Sequence, residues 1–311
     1  MHRFRFVLYR PVQLIPVLLG ISLVTFVLVH LIPGDPARIL LGVRGTKEAI
    51  AAIHHQFGLD RPIAVQYLYF LYNLLQGEFG RSIIYRVPVL TLVAARIAPT
   101  AFLLGYAVLL STVLSSLLAS LAAANRGRAL DQAVRLFSTI GLGLPAFWLG
   151  IVLIMLFSIR LGWFPVSGYG EDFSDHLWHL FLPALTLAAA LAPVLTRNLR
   201  ASLISESTAD YVIAARAKGL PRHVIFLHHV FRNSLIPTVN LLGVNVGWLI
   251  GGTVVVETVF SVPGMGQLMV ASIFARDYLV VQAVTLVLAL GVVLTNFLVD
   301  IVTVALDPRI A

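Results

Sequence analysis

The sequence predicts an all-α integral membrane protein with six transmembrane helices, an external segment after the first helix and a cytoplasmic loop between the fourth and fifth. Three observations lead to this fold class. Hydrophobic residues make up 59% of the chain and charged residues 12%, whereas a soluble domain of this length needs a larger polar surface. Six apolar runs are long enough to cross a bilayer. Basic residues concentrate in alternate connections between those runs.

The six spans follow from length and hydrophobicity. A helix needs about 20 apolar residues to cross the hydrocarbon core, where its backbone must bond to itself. The runs that qualify are residues 12–32, 98–124, 133–159, 180–199, 235–256 and 280–306. Pro145 is expected to kink the third helix, with slack from Gly141 and Gly143, and Pro193 is expected to kink the fourth.

Positive charges orient the chain, because cytoplasmic connections carry an excess of Lys and Arg. Such residues precede the first span and surround the connections after the second and fourth spans, at Arg3, Arg5, Arg10, Arg126, Arg128, Arg135, Arg197, Arg200, Arg216, Lys218, Arg222 and Arg232. The two short opposite connections hold only Arg160 and Arg276 as basic residues. Both termini are therefore expected in the cytoplasm. The segment after the first span then lies outside, where its seven basic residues are tolerated because long loops cross regardless of charge.

This topology divides the chain into four parts. They are an N-terminal transmembrane helix (1–33), an external segment (34–97), a transmembrane core with a cytoplasmic loop at 200–236 (98–306), and a cytoplasmic tail (307–311). Within the external segment, residues 46–57 form a short amphipathic stretch, and residues 65–75 are apolar and aromatic. The second stretch is typical of an interfacial helix with an aromatic belt, or of a vestibule that receives substrate from a delivery protein.

The loop at 200–236 has the signals of a short rigid helix. Asp210 is a candidate N-cap, the cations Arg216 and Lys218 suit a last helical turn, and Gly219 is a natural stop. Pro221 fits the start of the next helix. Small side chains keep the short helix slim, so that a facing surface can approach it; they are Ala214, Ala215 and Ala217.

This loop resembles the cytoplasmic "EAA" loop of ABC-importer permeases. Ala214, Ala215 and Gly219 match that pattern, Pro237 supplies its distal proline, and Ile213 stands where the pattern has Glu. The runs D-Y-V-x-x-A-R-A-K-G-L and H-x-x-R-N-S-L-I-P are similar to the dipeptide/oligopeptide/nickel permease branch. Further matches, in order along the chain, lie at residues 31–36, 58–62, 65–67, 251–257, 263–266, 275–278 and 306–310.

The resemblance implies a permease subunit of a binding-protein-dependent ABC importer in the bacterial inner membrane. Such a subunit forms half of an alternating-access pathway for di- or oligopeptides; nickel, a metal chelate or a glutathione-like cargo is the alternative. The implied partners are a second homologous permease in a heterodimer, two ATPase subunits, an extracytoplasmic binding protein and the lipid bilayer. The residues implied to couple the chain to the ATPases are Glu206, Asp210, Tyr211, Ala214, Ala215, Arg216, Lys218 and Gly219.

The remaining chemistry of the sequence excludes other classes of function. Neither of its two lysines, Lys47 and Lys218, lies in a G-x-x-x-x-G-K-[ST] loop, so ATP and Mg are expected on partner subunits and no cofactor on this chain. Cysteine is absent, which excludes disulfides and thiolate metal sites. The net charge of +8 belongs to the orienting connections and does not indicate nucleic acid. An ion-coupled secondary transporter would need buried charge relays, and a membrane enzyme a convergent polar cluster.

Several residues outside the loop are candidates for packing, pathway or gating. Gly243, Gly247 and Gly251 form a stripe that packs either within the subunit or against the partner permease. Asn240, Asn245 and Glu257 are polar groups in or near the fifth span, with Glu257 either functional or at the outer interface. The expected external gate region contains Pro263, Gly264, Gly266 and Asp277. His176 and His179 could share a helical face, but without a third ligand no metal site is expected.

Overall fold

A computed structural model describes residues 15–27, 46–48 and 60–306, and the side chains of residues 300 and 304–306 lie outside that description. The described chain contains no β-strand beyond an isolated bridge between Arg81 and Pro88. Its helices are α1 Ile15–Val27, α2 Ile63–Leu75, α3 Val89–Ala124, α4 Ala129–Gly143, α5 Ala146–Arg160, α6 Phe173–Glu206, α7 Asp210–Ala217, α8 Arg222–Val259, α9 Met265–Phe274 and α10 Tyr278–Leu306. The all-α class is therefore confirmed.

Four helices in the described chain are long and apolar enough to cross a membrane, namely α3, α6, α8 and α10. A fifth span requires counting the bent pair α4 and α5 as one. The first predicted span, residues 12–32, is described only over Ile15–Val27, an apolar helix shorter than a full span. The count of six therefore stays a prediction, as do the amphipathic stretch at 46–57 and the tail at 307–311, which lie wholly or largely outside the described residues.

The third predicted span is broken at Pro145 rather than kinked. Leu144 and Pro145 both have extended backbones, with ψ angles of 124° and 131°. The helices on either side meet at 107°. The residue before a proline is sterically disfavoured in the helical region, so α4 ends at Gly143 and a new helix begins after Pro145. Pro193, in contrast, lies inside α6 without a break.

Gly141 has a different role from the slack that the sequence suggested. A Cβ atom at this position would lie 2.9 Å from Cγ of Pro193. The glycine therefore permits close packing of α4 against the proline ring of α6.

Two helices begin well before their predicted apolar cores. Helix α3 starts at Val89 and runs 36 residues through Pro99. Helix α6 starts at Phe173 because Asp172 caps it, its Oδ1 accepting from the backbone N of Asp175 at 2.9 Å. Both helices are therefore longer than the apolar cores that predicted them.

The chain forms two compact units. One is built from Pro99–Gln267 with the chain from Val292 onward, and the other from Leu8–Ala98 with Leu268–Gly291. Helix α6 lies at the centre of the first unit. Of its most apolar stretch of 18 residues, 67% are buried, compared with 22% for the corresponding stretch of α3. Fully buried side chains of α6 pack with α3 and α8 through Leu103, Ala107, Leu180, Leu187, Leu191, Leu195, Leu249 and Val256. The first unit thus has α6 at its core.

The second unit contains the aromatic helix predicted in the segment after the first span. The ring of Tyr67 on α2 lies 5.3 Å from that of Phe26 on α1, and its hydroxyl is 2.8 Å from Ser22 Oγ. The opposite face of α2 leaves Leu68 and Tyr72 exposed. The helix itself is confirmed, and its interfacial role stays a prediction.

Candidate functional site

The short helix α7 lies between the end of α6 and the start of α8. It begins at Asp210 itself, with Ala209 in the capping position and no side-chain cap. The prediction that Asp210 is the N-cap is therefore wrong by one position. Its carboxylate instead lies in the first turn, where negative charge is favourable near the free amides of the helix N-terminus.

The end of α7 is a Schellman motif formed by Gly219. This glycine has φ +78°, and its N–H donates to Arg216 O at 2.9 Å while Leu220 N donates to Ala215 O at 3.3 Å. A side chain at this position would be strained by the left-handed backbone. The predicted stop at Gly219 is confirmed, and Pro221 stands immediately before α8 as expected.

One face of α7 is seated on the helices around it. Val212 is fully buried and Ala215 is 7% exposed. Both belong to one buried cluster whose other members are Ala119, Leu199, Leu203, Ile225 and Val230. Ala215 therefore packs inward, and its predicted part in ATPase coupling stays a prediction. Its small size lets α7 lie close to its own chain.

The opposite face of α7 is open. Ile213 is 59% exposed, and Ala214, Ala217 and the two cations Arg216 and Lys218 are also exposed. The result is a small apolar surface flanked by positive charge. Such a surface is complementary to an apolar groove with an acidic rim.

Tyr211 fixes the two ends of the loop to each other. Its hydroxyl donates to Glu206 Oε2 at the end of α6 and accepts from Asn233 Nδ2 of α8 at 3.2 Å. Burial, with a contribution from the hydrogen bond to Glu206, raises the pKa of Tyr211 above its ordinary value, so the hydroxyl remains a donor. The sequence selected Glu206 and Tyr211 but missed Asn233, although Asn233 lies within the H-x-x-R-N-S run.

Glu257 is a fully buried carboxylate near the end of α8. Its Oε1 accepts from Thr100 Oγ1 at 2.6 Å, and its Oε2 accepts from the backbone N of Gly266 at 2.7 Å and of Gln267 at 3.1 Å. Thr100 Oγ1 accepts in turn from Met265 N at 2.8 Å. The carboxylate therefore caps the first turn of α9 and ties it to α3. Glu257 is therefore enclosed by its own chain, and its pathway role and its position relative to the outer interface stay predictions.

The glycines of the expected gate region make room for that carboxylate. A Cβ atom on Gly264 would overlap the carboxylate of Glu257, and one on Gly266 would overlap the backbone of Val254. Pro263, half-buried, begins the same turn. The structure thus brings Glu257, Gly264 and Gly266 together, which sequence reasoning had assigned to two separate sets.

Asp277, the last residue of the expected gate region, belongs to the second unit. It is fully buried, and its Oδ2 accepts from Ser82 Oγ and from the backbone N of Ile84, the latter at 3.3 Å. Its Oδ1 has no hydrogen-bond partner among the described residues. Asp277 therefore anchors the turn before α3 to the turn before α10.

The glycine stripe of α8 divides into two parts. Gly243 packs so closely on Val299 of α10 that a Cβ atom would overlap it, and a Cβ atom on Gly247 would lie 3.2 Å from Val292. Packing within the subunit therefore accounts for these two glycines. For Gly251, the described residues place no atom beyond its own stretch of helix within 4 Å of the Cβ position. The stripe is thus closed at one end and open at the other.

Three polar residues that the sequence singled out for a packing, pathway or metal-binding role form hydrogen bonds within the chain. Asn240 Oδ1 accepts from Thr303 Oγ1 at 2.5 Å, and Asn245 Nδ2 donates to Leu241 O of its own helix at 2.7 Å. Nδ1 of His176 lies 2.8 Å from Tyr169 O. Asn240 therefore joins α8 to α10, and His176 joins α6 to the connection before it.

An ion pair that the sequence analysis missed lies next to the buried cluster on which α7 packs. Asp131 is 1% exposed, and Arg200 binds it in a bidentate manner, with Nε 2.6 Å from Oδ1 and Nη2 2.7 Å from Oδ2. Gly127 N also donates to Oδ2 at 2.9 Å. The sequence placed Arg200 only among the orienting charges, and no local pattern links two residues 69 positions apart.

A cavity of about 110 Å³ lies at the break between α4 and α5, against α6. Its lining is apolar apart from Thr186, whose hydroxyl already donates to Leu182 O. Small-molecule sites enclose about 300–1,000 Å³ with convergent polar groups. This cavity is therefore not a cargo site.

Comparisons with known proteins agree along the whole chain. Residues 115–311 match the model of the "Binding-protein-dependent transport system inner membrane component" family, and residues 3–100 match the model of the N-terminal part of such membrane components. The glutathione transport system permease proteins GsiC of Escherichia coli (strain K12) and Salmonella typhimurium (strain LT2) are each 39% identical over 305 residues, covering 98% of this chain and 98% of theirs.

Solved structures show the same fold. An inward-facing structure of the MetNI methionine ABC transporter superposes with a TM-score of 0.58 at 19% identity, over 70% of this chain and 96% of that chain. An amino acid ABC transporter with histidines gives a TM-score of 0.51 at 12% identity, over 68% and 93%. At these identities the likeness concerns the fold alone.

Proposed function

Because the chain belongs to the family of binding-protein-dependent transport system inner membrane components, we propose that it forms half of the path by which a short peptide crosses the inner membrane. Members of this family are permease subunits of ABC importers and not enzymes, and ATP hydrolysis resides in separate subunits. They work with those ATPases and with a substrate-binding protein. The ion-coupled transporter and the membrane enzyme are thereby set aside.

The proposed cargo is glutathione or another short peptide of similar size. The support is the 39% identity to glutathione permeases over nearly the whole length of both chains, together with the peptide-permease motifs of the loop. Nickel or a metal chelate is the alternative cargo. In this class of importer the binding protein can set much of the specificity, so the cargo is tested with that protein present.

Uptake by the assembled transporter in proteoliposomes tests this cargo. The chain is reconstituted with its partner permease, ATPases and binding protein, and ATP-dependent accumulation of labelled glutathione, a dipeptide and Ni²⁺ is measured. We expect accumulation of glutathione or the dipeptide, and none when ATP is replaced by a non-hydrolysable analogue. Accumulation of Ni²⁺ without either peptide would contradict the peptide proposal.

We propose that α7 is the coupling helix on which a partner ATPase acts. The observation that carries this proposal is the difference between the two faces of α7. Val212 and Ala215 pack against the ends of α3 and α6 and the start of α8. Ile213 and Ala214, on the other face, are exposed. Because α7 packs directly on the long helices, a force on its open face is transmitted to them through these contacts and not through a flexible loop. Gly219 and the Tyr211 hydrogen bonds define the shape of this contact.

The proposed topology has six spans with both termini in the cytoplasm. It is supported by the distribution of basic residues and by the exposed cations of α7, which suit the cytoplasmic side. The test is to label a cysteine introduced on α7 with an impermeant maleimide. In this orientation α7 faces the cytoplasm, so we expect no labelling when the reagent is added to intact cells. Labelling from outside would contradict it.

A second, homologous permease completes the proposed pathway as a heterodimer. Gly251 supports this pairing, because it is exposed and leaves a smooth apolar surface on α8 that another helix can approach closely. Purification of the tagged chain tests the pairing, since a second permease must accompany it in the functional complex.

A further inference from the structure

The seat of α7, which is the buried cluster on which this helix packs, is assembled from helix ends that are distant in sequence. Ala119, with Ala123 beside it, comes from the end of α3, whereas Leu199 and Leu203 come from the end of α6. Val212 of α7 packs in the same cluster. The position of α7 therefore depends on the spacing between the ends of α3 and α6.

Asp131 joins those two ends through one carboxylate. Gly127 lies in the turn that follows α3, and its N–H donates to Oδ2 of Asp131. Arg200, which donates two hydrogen bonds to the same carboxylate, is next to Leu199 of the seat on α6. The path from α3 through the turn to α6 is thus closed by charge-assisted hydrogen bonds of 2.6–2.9 Å.

Helix α4 is held to α6 at a second point. Asp131 and Arg200 hold its first turn, and Gly141 packs on Pro193 close to its last turn. Beyond Gly143 the chain breaks and turns by 107°. These contacts make α4 and α6 one body, with the break at Pro145 separating α4 from α5.

A gain in stability is a weak explanation for this pair. Asp131 is buried while Arg200 is 21% exposed, so the desolvation cost of several kcal/mol falls mainly on the carboxylate, and apolar replacements of buried pairs are often as stable. What an apolar pair lacks is the fixed bidentate geometry of a guanidinium on a carboxylate. The pair therefore specifies spacing better than it supplies stability.

Resting on the proposed coupling role of α7, we propose that Asp131 is a positioning residue for energy coupling. Its pair with Arg200 holds the ends of α3 and α6 at the spacing that seats α7. Movement of α7 is then passed to α3, α4 and α6 together. Without the pair, the spacing between the ends of α3 and α6 is no longer fixed, so part of the movement of α7 is lost in displacing them. ATP hydrolysis then continues with less transport per ATP.

The test measures the ratio of cargo transported to ATP hydrolysed by the whole transporter in proteoliposomes. We expect Asp131→Asn to lower this ratio by roughly 2- to 30-fold, the range for substitutions within coupling networks. The exposed Asp175 provides the matched control, because Asp175→Asn removes a carboxylate from an open site. We expect the control to keep the wild-type ratio.

A double apolar variant separates positioning from folding. Asp131→Leu with Arg200→Met removes both charges, so we expect the transporter to assemble in wild-type yield while the ratio stays low. A wild-type ratio in this assembled variant, or in Asp131→Asn, would overturn the proposal. Failure of the wild-type complex to transport any cargo would instead count against the proposed function.

Discussion

Replacement of Ile213 by Asp is expected to abolish ATP-driven transport while the protein still inserts and assembles with its partner permease. Ile213 is 59% exposed on the open face of α7, so the change costs little internal packing. The loop pattern has Glu at this position, but a groove complementary to Ile213 is apolar, so a carboxylate buried there has no partner and must be desolvated. Central interface residues contribute about 2 kcal/mol or more, which corresponds to a loss of roughly 30-fold in ATPase affinity.

The measurement is transport and ATPase retention during purification of the tagged transporter. Val166→Asp is the matched control, because Val166 is also an exposed β-branched side chain and lies in the connection before α6, whereas α7 follows the other end of α6. We expect the control to retain its ATPase subunits and its transport. Wild-type transport by Ile213→Asp would show that the open face of α7 is not the contact.

Replacement of Glu257 by Ala is expected to have the largest effect on folding. The change leaves the Thr100 hydroxyl and the backbone N–H groups of Gly266 and Gln267 buried without their acceptor. It also opens a cavity where Gly264 now meets the carboxylate. Losing one member of such a buried network costs about 3 kcal/mol or more.

Thermal unfolding of the detergent-solubilised chain measures this cost. We expect a clear fall in Tm and in the yield of folded protein for Glu257→Ala. Glu171→Ala is the control, since Glu171 is an exposed carboxylate and its loss is expected to leave Tm unchanged. An unchanged Tm for Glu257→Ala would mean that this carboxylate does not hold α9 in place.

Local patterns predicted the helices that depend on local physics. The all-α class and the cores of the long spans follow from apolar run length, and the end of α7 follows from Gly219, whose φ of +78° glycine readily adopts. The predicted bend at Pro145 was correct in place and too small in size. A proline restricts the residue before it, but whether the helix kinks or ends depends on packing of the two halves.

Contacts between distant residues were beyond the reach of local patterns. Thr100 and Glu257 are 157 positions apart and Asp131 and Arg200 are 69 apart. In the sequence alone, Glu257 is compatible with an interface position and Arg200 with an orienting charge, and neither identifies its partner. Ala215 illustrates the same difficulty, because eight residues of helix do not reveal which face packs inward.

The sequence did contain one signal that could have led to the Glu257 site. A P-G-M-G run at the start of an apolar helix presents free backbone N–H groups, and its two glycines leave room for an acceptor beside them. A buried carboxylate a few residues earlier is a natural acceptor for such groups. Gly264 and Gly266 are therefore explained by Glu257, and Glu257 by the helix it caps.

Site-directed cross-linking tests most directly whether α7 is the contact with the motor. The chain has no cysteine, so Ala214→Cys places a single thiol on the open face of α7. With cysteines introduced along the candidate groove of the ATPase, we expect a disulfide between the two subunits and loss of transport until it is reduced. Transport that needs the ATPase, with no cross-link from residue 214 at any groove position, would contradict the account.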